Sequence, residues 1–209
     1  MRKLEKIVGL LAIVSVILKF LLIPYSGISL SLSILTLAVL YYPLGFAFFN
    51  RIQLRQILKK ESYNGKSTLK IIGAVGVGLA LSILCIGILF KLQHYPFSLT
   101  ILKAGMFLAS IASLIVIVQL LKTKNSFYKK ILNRVSIIGG ISLLLLFVSD
   151  LNIVKIQYRN HPEYIKAYEA YLKNPDNAEI QKKLGIESHK ATMSEQEFDE
   201  YRKSILDEN

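Results

Sequence analysis

Five apolar runs decide what this chain can become. They fall at about residues 7–23, 28–49, 71–90, 99–121 and 135–148, with polar or basic segments between them. A helix needs about 20 mostly apolar residues to cross the hydrocarbon core of a bilayer. The runs meet or approach that length, the last only if Asp150 and Asn152 are counted in. Hydrophobic residues make up 53% of the chain, and a soluble domain would not gather them this way. The expectation is an all-α polytopic membrane helix bundle over residues 1–149. A small helical tail follows over 150–209.

Charge gives the orientation. The formal net charge is +12, yet Glu5 and Glu61 are the only acids before Asp150. Almost all the basic residues of the membrane part flank the apolar runs, at the N-terminus and over 50–70 and 122–134. A basic chain invites a nucleic-acid partner, but the positive-inside rule accounts for this pattern without one. Those sides are expected to be cytoplasmic, in the cell (inner) membrane, and the two short turns face out. With five spans the tail also lies outside; if the fifth run does not cross, it lies inside. A signal peptide competes for the first run, since Arg2, Lys3 and Lys6 precede it. Lys19 interrupts its core and no Ala-x-Ala site follows, so an uncleaved span is expected. Cys85 is the one cysteine, which excludes an intramolecular disulfide.

Within the runs, Ser29, Ser33 and Thr36 share one helix face. They serve helix–helix hydrogen bonding or line a polar path. Pro43 is expected to kink the second helix, and Tyr41, Tyr42, Phe46, Phe48 and Phe49 read as an interfacial belt. Arg51, Arg55 and Lys59 line one face if that helix continues outward, with Lys60, Lys66 and Lys70 beyond and a turn at Asn64-Gly65. Ala74/Gly78 and Gly76/Ala80 have small-xxx-small spacing, and Gly105, Ala109 and Ala112 form a further small face. In the tail, Pro162 suits the first position of a helix striped by Tyr164, Tyr168 and Tyr171. A second helix is expected over Asn177–Leu184, closed by Gly185. A third opens on the capping box of Ser194 and Glu197. About 60 residues make a marginal domain alone, so the tail is expected to pack on the membrane part or on a partner.

Two stretches share a frame. Lys19, Pro24, Tyr25 and Ser26 align without a gap with Lys91, Pro96, Phe97 and Ser98. Lys6-Ile7-Val8-Gly9 also echoes Lys70-Ile71-Ile72-Gly73. Two hairpins entering from one side would be parallel repeats, and a duplication is expected. The second copy, Phe90-Lys91-Leu92-Gln93-His94-Tyr95-Pro96 followed by Gly105, resembles the transmembrane hairpin of the gliding-motility motor L subunit family (GldL-like). The resemblance covers about residues 71–121. It implies a membrane hairpin of a cell-envelope complex. Members of that family use a carboxylate in the second helix, at a position that falls near Ala109. No Asp or Glu occurs between Ile71 and Leu121, and a proton relay needs a titratable group there.

The candidate functional residues are few. Lys91, His94, Tyr95 and Pro96 form the turn, with Lys19 and Pro24 as their repeat partners. Lys19 and Lys91 either snorkel to the headgroups or form a paired cationic site. Lys103 snorkels or joins Lys91 and His94 in a basic pocket for a lipid or anion. His94 is a capping or interfacial residue, or a pH sensor. No nucleophile–base pair, metal-ligand spacing or paired carboxylate stands in the spans, so neither an enzyme nor a cofactor is expected. The chain reads as a non-catalytic membrane subunit or scaffold. Its partners are the lipid bilayer, other membrane or envelope proteins, or copies of itself. The alternative is a small transporter or channel-like protein for an ion, anion or lipid, with the Ser29, Ser33 and Thr36 face and the outer lysines Lys19 and Lys91 at the repeat interface as its polar path.

Overall fold

The computed structural model describes residues 2–50, 52, 54–57, 59, 61 and 68–207. Among them are helices and turns and no strand. The helices are α1 (Arg2–Phe20), α2 (Ser26–Tyr41), α3 (Gly45–Phe49), α4 (Thr68–Leu92), α5 (Ser98–Thr123), α6 (Ser126–Phe147), α7 (Asp150–Gln157), α8 (Pro162–Lys173), α9 (Ala178–Thr192) and α10 (Glu195–Asp207). The turn expected at Asn64-Gly65 and the basic residues Arg51, Lys60 and Lys66 lie outside the described residues.

Three of these helices are long and apolar enough to cross a membrane: α4 from Lys70, α5 and α6. The five expected runs therefore divide unevenly. α1 carries Arg2, Lys3, Glu5, Lys6 and Lys19 among its 19 residues. α2 is apolar but has only 16 residues, because it stops at Tyr41. Pro43 lacks an N–H and its ring crowds the carbonyl four residues back. The expected kink is a break, and the chain turns before re-forming a helix as α3. The fifth run gains length instead. The Asn125 side chain accepts a hydrogen bond from Phe127 N at 2.9 Å, so α6 begins at Ser126 and takes in residues expected in a basic connection.

The chain forms two compact units. The first takes residues up to Ile13 together with Ser29–Val148. The second takes Val14–Ile28 together with the chain from Ser149.

In the first unit, α4 packs on α3, α5 and α6. Ala74, Val77, Ala80, Leu81, Leu84 and Cys85 along it are all buried. Glycines set the approach to α5. A Cβ on Gly105 would meet the Leu84 side chain at 2.8 Å, and one on Gly87 would meet Leu102 at 2.9 Å. Of the two small-residue registers, only Ala74/Gly78 packs throughout. Gly78 lies against the Tyr41 carbonyl and the Gly45 Cα, whereas Gly76 faces open space. Tyr41, Phe48 and Phe49 are core residues here, not an interfacial belt, while Tyr42 is exposed. The breaking of the helix at Pro43 folds them inward. On the outer faces of α5 and α6, Phe107, Leu114, Leu121, Leu144 and Phe147 are each more than 60% exposed.

The second unit has an aromatic core of Tyr158, Tyr164 and Tyr168 with Val154 and Ala191, joined by Leu22 and Leu184. Rings 158 and 164 pack with their centroids 4.1 Å apart. The local signals expected in the tail are used. Pro162 opens α8, and the Ser194 hydroxyl donates to Glu197 Oε2 at 2.8 Å as α10 begins. Gly185 does not close α9, which runs on to Thr192. A glycine inside a helix costs about 1 kcal/mol relative to alanine. Ala191, a turn and a half further on, is buried in the aromatic core, and that burial favours continuing the helix.

Candidate functional site

Both short turns end their first helix in the same way. In one, Ile23 N bonds the Leu18 carbonyl at 3.0 Å and Leu22 N bonds Lys19 at 3.1 Å. In the other, Tyr95 N bonds Phe90 at 2.9 Å and His94 N bonds Lys91 at 3.4 Å. This is the Schellman pattern, which needs a left-handed residue just past the helix. Leu22 (φ 57°) and His94 (φ 59°) supply it, and Tyr25 (φ 61°) and Phe97 (φ 61°) are left-handed again three residues later. The next helices begin at Ser26 and Ser98, both buried. Glycine is the usual residue at such positions. That two side-chain-bearing residues stand there in each turn marks the geometry as specified by its surroundings.

The two lysines of the shared frame have different environments. Lys91 is fully buried, the bulkiest side chain among the described residues to be so. It does not snorkel outward. Lys19 is half-buried in the second unit. His94 is half-buried, Tyr95 and Pro96 are exposed, and Tyr95 sets its ring edge-on to Phe90 at 5.3 Å. Lys103 is exposed, unlike Lys91. Pro24 is also exposed.

The expected hydroxyl face is discontinuous. Ser33 is buried and Ser29 half-buried, but Thr36 is exposed and its hydroxyl donates to the Leu32 carbonyl at 2.7 Å. Ser31, off that face, joins α2 to the end of α4: its hydroxyl accepts from Gln93 Nε2 at 3.0 Å. Neither residue stood out in the sequence, because a single serine and a single glutamine carry no periodic signal.

Nor did the ionic cluster of the first unit. Arg134 bonds both carboxylate oxygens of Glu5, Nε to Oε1 at 2.6 Å and Nη2 to Oε2 at 2.7 Å. Tyr41 donates to the same Oε1 at 2.9 Å. The guanidinium lies over the Phe48 ring at 4.9 Å. A bidentate pair of this kind fixes geometry as well as charge.

A cleft of about 530 Å³ opens within the second unit. One side is the turn Leu22–Ile28, preceded by Lys19. The other side is Gln157 and Tyr158 at the end of α7, with His189, Thr192, Met193 and Glu197 from α9 and α10. Gln157 and Tyr158 are buried. Burial raises the Tyr158 phenol above the ordinary tyrosine range. The His189 ring contacts that of Tyr201, centroids 4.2 Å apart and tilted by 51°. Among the described residues no cluster of three His, Cys, Asp or Glu side chains is placed to hold a metal ion.

No protein-family description, no curated protein and no solved structure matches this chain. Its function has to be read from its own residues.

Proposed function

We propose that the chain is a non-catalytic, multi-pass subunit or scaffold of a cell-envelope membrane complex. The observation that carries this reading is the packing of the tail. Residues from Ser149 onward form one compact unit with the Lys19–Ile28 turn, sharing a core through Leu22. A tail folded on that turn lies on the same side of the bilayer as the turn. Charge asymmetry puts the turn outside the cytoplasm. α1, α2, α4, α5 and α6 crossing in alternation would deliver Ser149 to that same side. Such a tail presents a folded surface to an envelope partner, and the exposed apolar faces of α5 and α6 meet lipid or neighbouring helices.

The duplicated hairpin belongs to this reading. Its support is the shared turn, with matching left-handed residues and matching carbonyl acceptors. A proton-driven motor role, the activity of the family that the second hairpin resembles, finds less support. Glu5 is engaged by Arg134 and Tyr41, and α4 and α5 carry no acid. A small transporter or channel-like role is the second reading, favoured by buried Lys91 and by the cleft beside Lys19.

Tagged full-length protein, purified in mild detergent and analysed by mass spectrometry, tests the scaffold reading. A stoichiometric envelope partner is expected, and it should be lost from Tyr164→Ala, which opens the tail core. A homogeneous homo-oligomer without a partner contradicts the reading and directs attention to flux assays.

A further inference from the structure

We infer that the cleft of the second unit holds the anionic phosphate headgroup of a membrane lipid. Its volume of about 530 Å³ falls in the range of small-molecule sites, about 300–1,000 Å³. The lining is divided by chemistry. Leu22, Ile23, Pro24, Ile28 and Met193 offer apolar surface, whereas Lys19 and His189 offer nitrogen donors. A ligand with one charged end and an apolar body satisfies both walls; a free inorganic anion satisfies one.

The charge balance selects the sign. Lys19 makes no ion pair among the described residues. The carboxylate of the lining, Glu197, is exposed and accepts bonds from Ser194 N at 3.0 Å and Ser194 Oγ at 2.8 Å. Its charge is thus directed to the start of its own helix. The half-buried ammonium of Lys19 is left to an incoming anion. The equivalent lysine, Lys91, is fully buried and offers no such opening. Lys19 closes α1 at the end that meets the outer headgroup layer in the topology proposed above, so phospholipid is the phosphate source within reach. The inference rests on that membrane reading.

Native mass spectrometry of the full-length detergent-solubilised protein tests it, with phosphatidylglycerol, phosphatidylcholine and inorganic phosphate as probes. Phosphatidylglycerol is expected to stay bound in preference to phosphatidylcholine and to resist millimolar phosphate. Lys19→Met should weaken its retention about tenfold, the scale of one lost charge-assisted hydrogen bond. Lys103→Met, on an exposed part of α5, should leave it unchanged. If Lys19→Met does not yield monodisperse protein, Lys19→Gln takes its place with the same expectation. Equal retention of the two lipids, displacement by phosphate, or full retention by the cleft variant overturns the inference. Protein that purifies without detergent sinks the membrane reading itself, a result distinct from detergent-requiring protein that shows no lipid preference.

Discussion

Arg134 holds Glu5 in a two-pronged ion pair although the two residues stand 129 positions apart in the chain. The pair ties the start of α1 to the first half of α6. Tyr41 adds the end of α2 through its hydroxyl. All three segments belong to the cytoplasmic end in the proposed topology, so one cluster closes the bundle there. Both side chains are less than one-fifth exposed. At that burial, removing one partner leaves a charge without its counterion.

Arg134→Met is therefore expected to destabilise the protein by about 3 kcal/mol. The double variant Glu5→Leu with Arg134→Met should recover much of that loss, because no charge is stranded. Thermal unfolding in detergent, run as a double-mutant cycle, reads the difference. Additive losses would remove the pair from its assigned role.

Gly78 and Gly76 make a matched comparison on one helix. A methyl group at Gly78 runs into the Tyr41 carbonyl, and one at Gly76 meets nothing within 4 Å. Gly78→Ala should cost about 1–3 kcal/mol through forced displacement of α2 and α3. Gly76→Ala should be neutral or raise stability by up to about 1 kcal/mol through helix propensity. Unfolding temperatures of the two variants decide it.

The tail tyrosines carry a pH dependence. Burial raises the Tyr158, Tyr164 and Tyr168 phenols above the ordinary value of 10.0, with Tyr168 pushed up to about 12. A phenol whose folded pKa exceeds its unfolded one contributes stability that is whole below pH 10 and is lost as pH rises through the folded value. The tail core should stay intact at pH 9 and open between about pH 10 and pH 12. Phenolate absorbance should rise in step with loss of tail structure. Early, non-cooperative ionisation of all the tyrosines would contradict the buried core.

Backbone conformation supplies two exchanges of opposite sense. Phe97 is left-handed (φ 61°) and 77% exposed, so Phe97→Gly loses little contact and relieves about 1 kcal/mol of backbone cost. Gly185 sits inside continuous α9 with open space around it, so Gly185→Ala should stabilise by up to about 1 kcal/mol. Denaturation of each variant beside the parent protein measures both shifts.

What could be read from the sequence was what is local. Pro162 at the start of α8 and the Ser194–Glu197 box depend on neighbours a few positions away. Apolar length identified α4, α5 and α6, although the basic residues at the start of α6 concealed its true beginning. Long-range relationships left no such trace. The Glu5–Arg134 pair, the Ser31–Gln93 bond and the burial of Lys91 depend on which helices become neighbours. The cleft beside Lys19 likewise joins residues 19–28 to residues 157–197. The shared lysine–proline frame pointed to the two turns, and their common left-handed geometry needed coordinates.

Site-directed labelling tests the central claim, that the tail lies outside with the first turn, most directly. Cys85→Ser removes the one cysteine. Single cysteines are then placed by Tyr25→Cys in the turn, Lys182→Cys in the tail and Lys59→Cys between α3 and α4. A membrane-impermeant maleimide is applied to spheroplasts before and after lysis. Positions 25 and 182 should label in intact spheroplasts, and position 59 only after lysis. Labelling of position 182 only after lysis would contradict the proposed topology and the scaffold reading built on it.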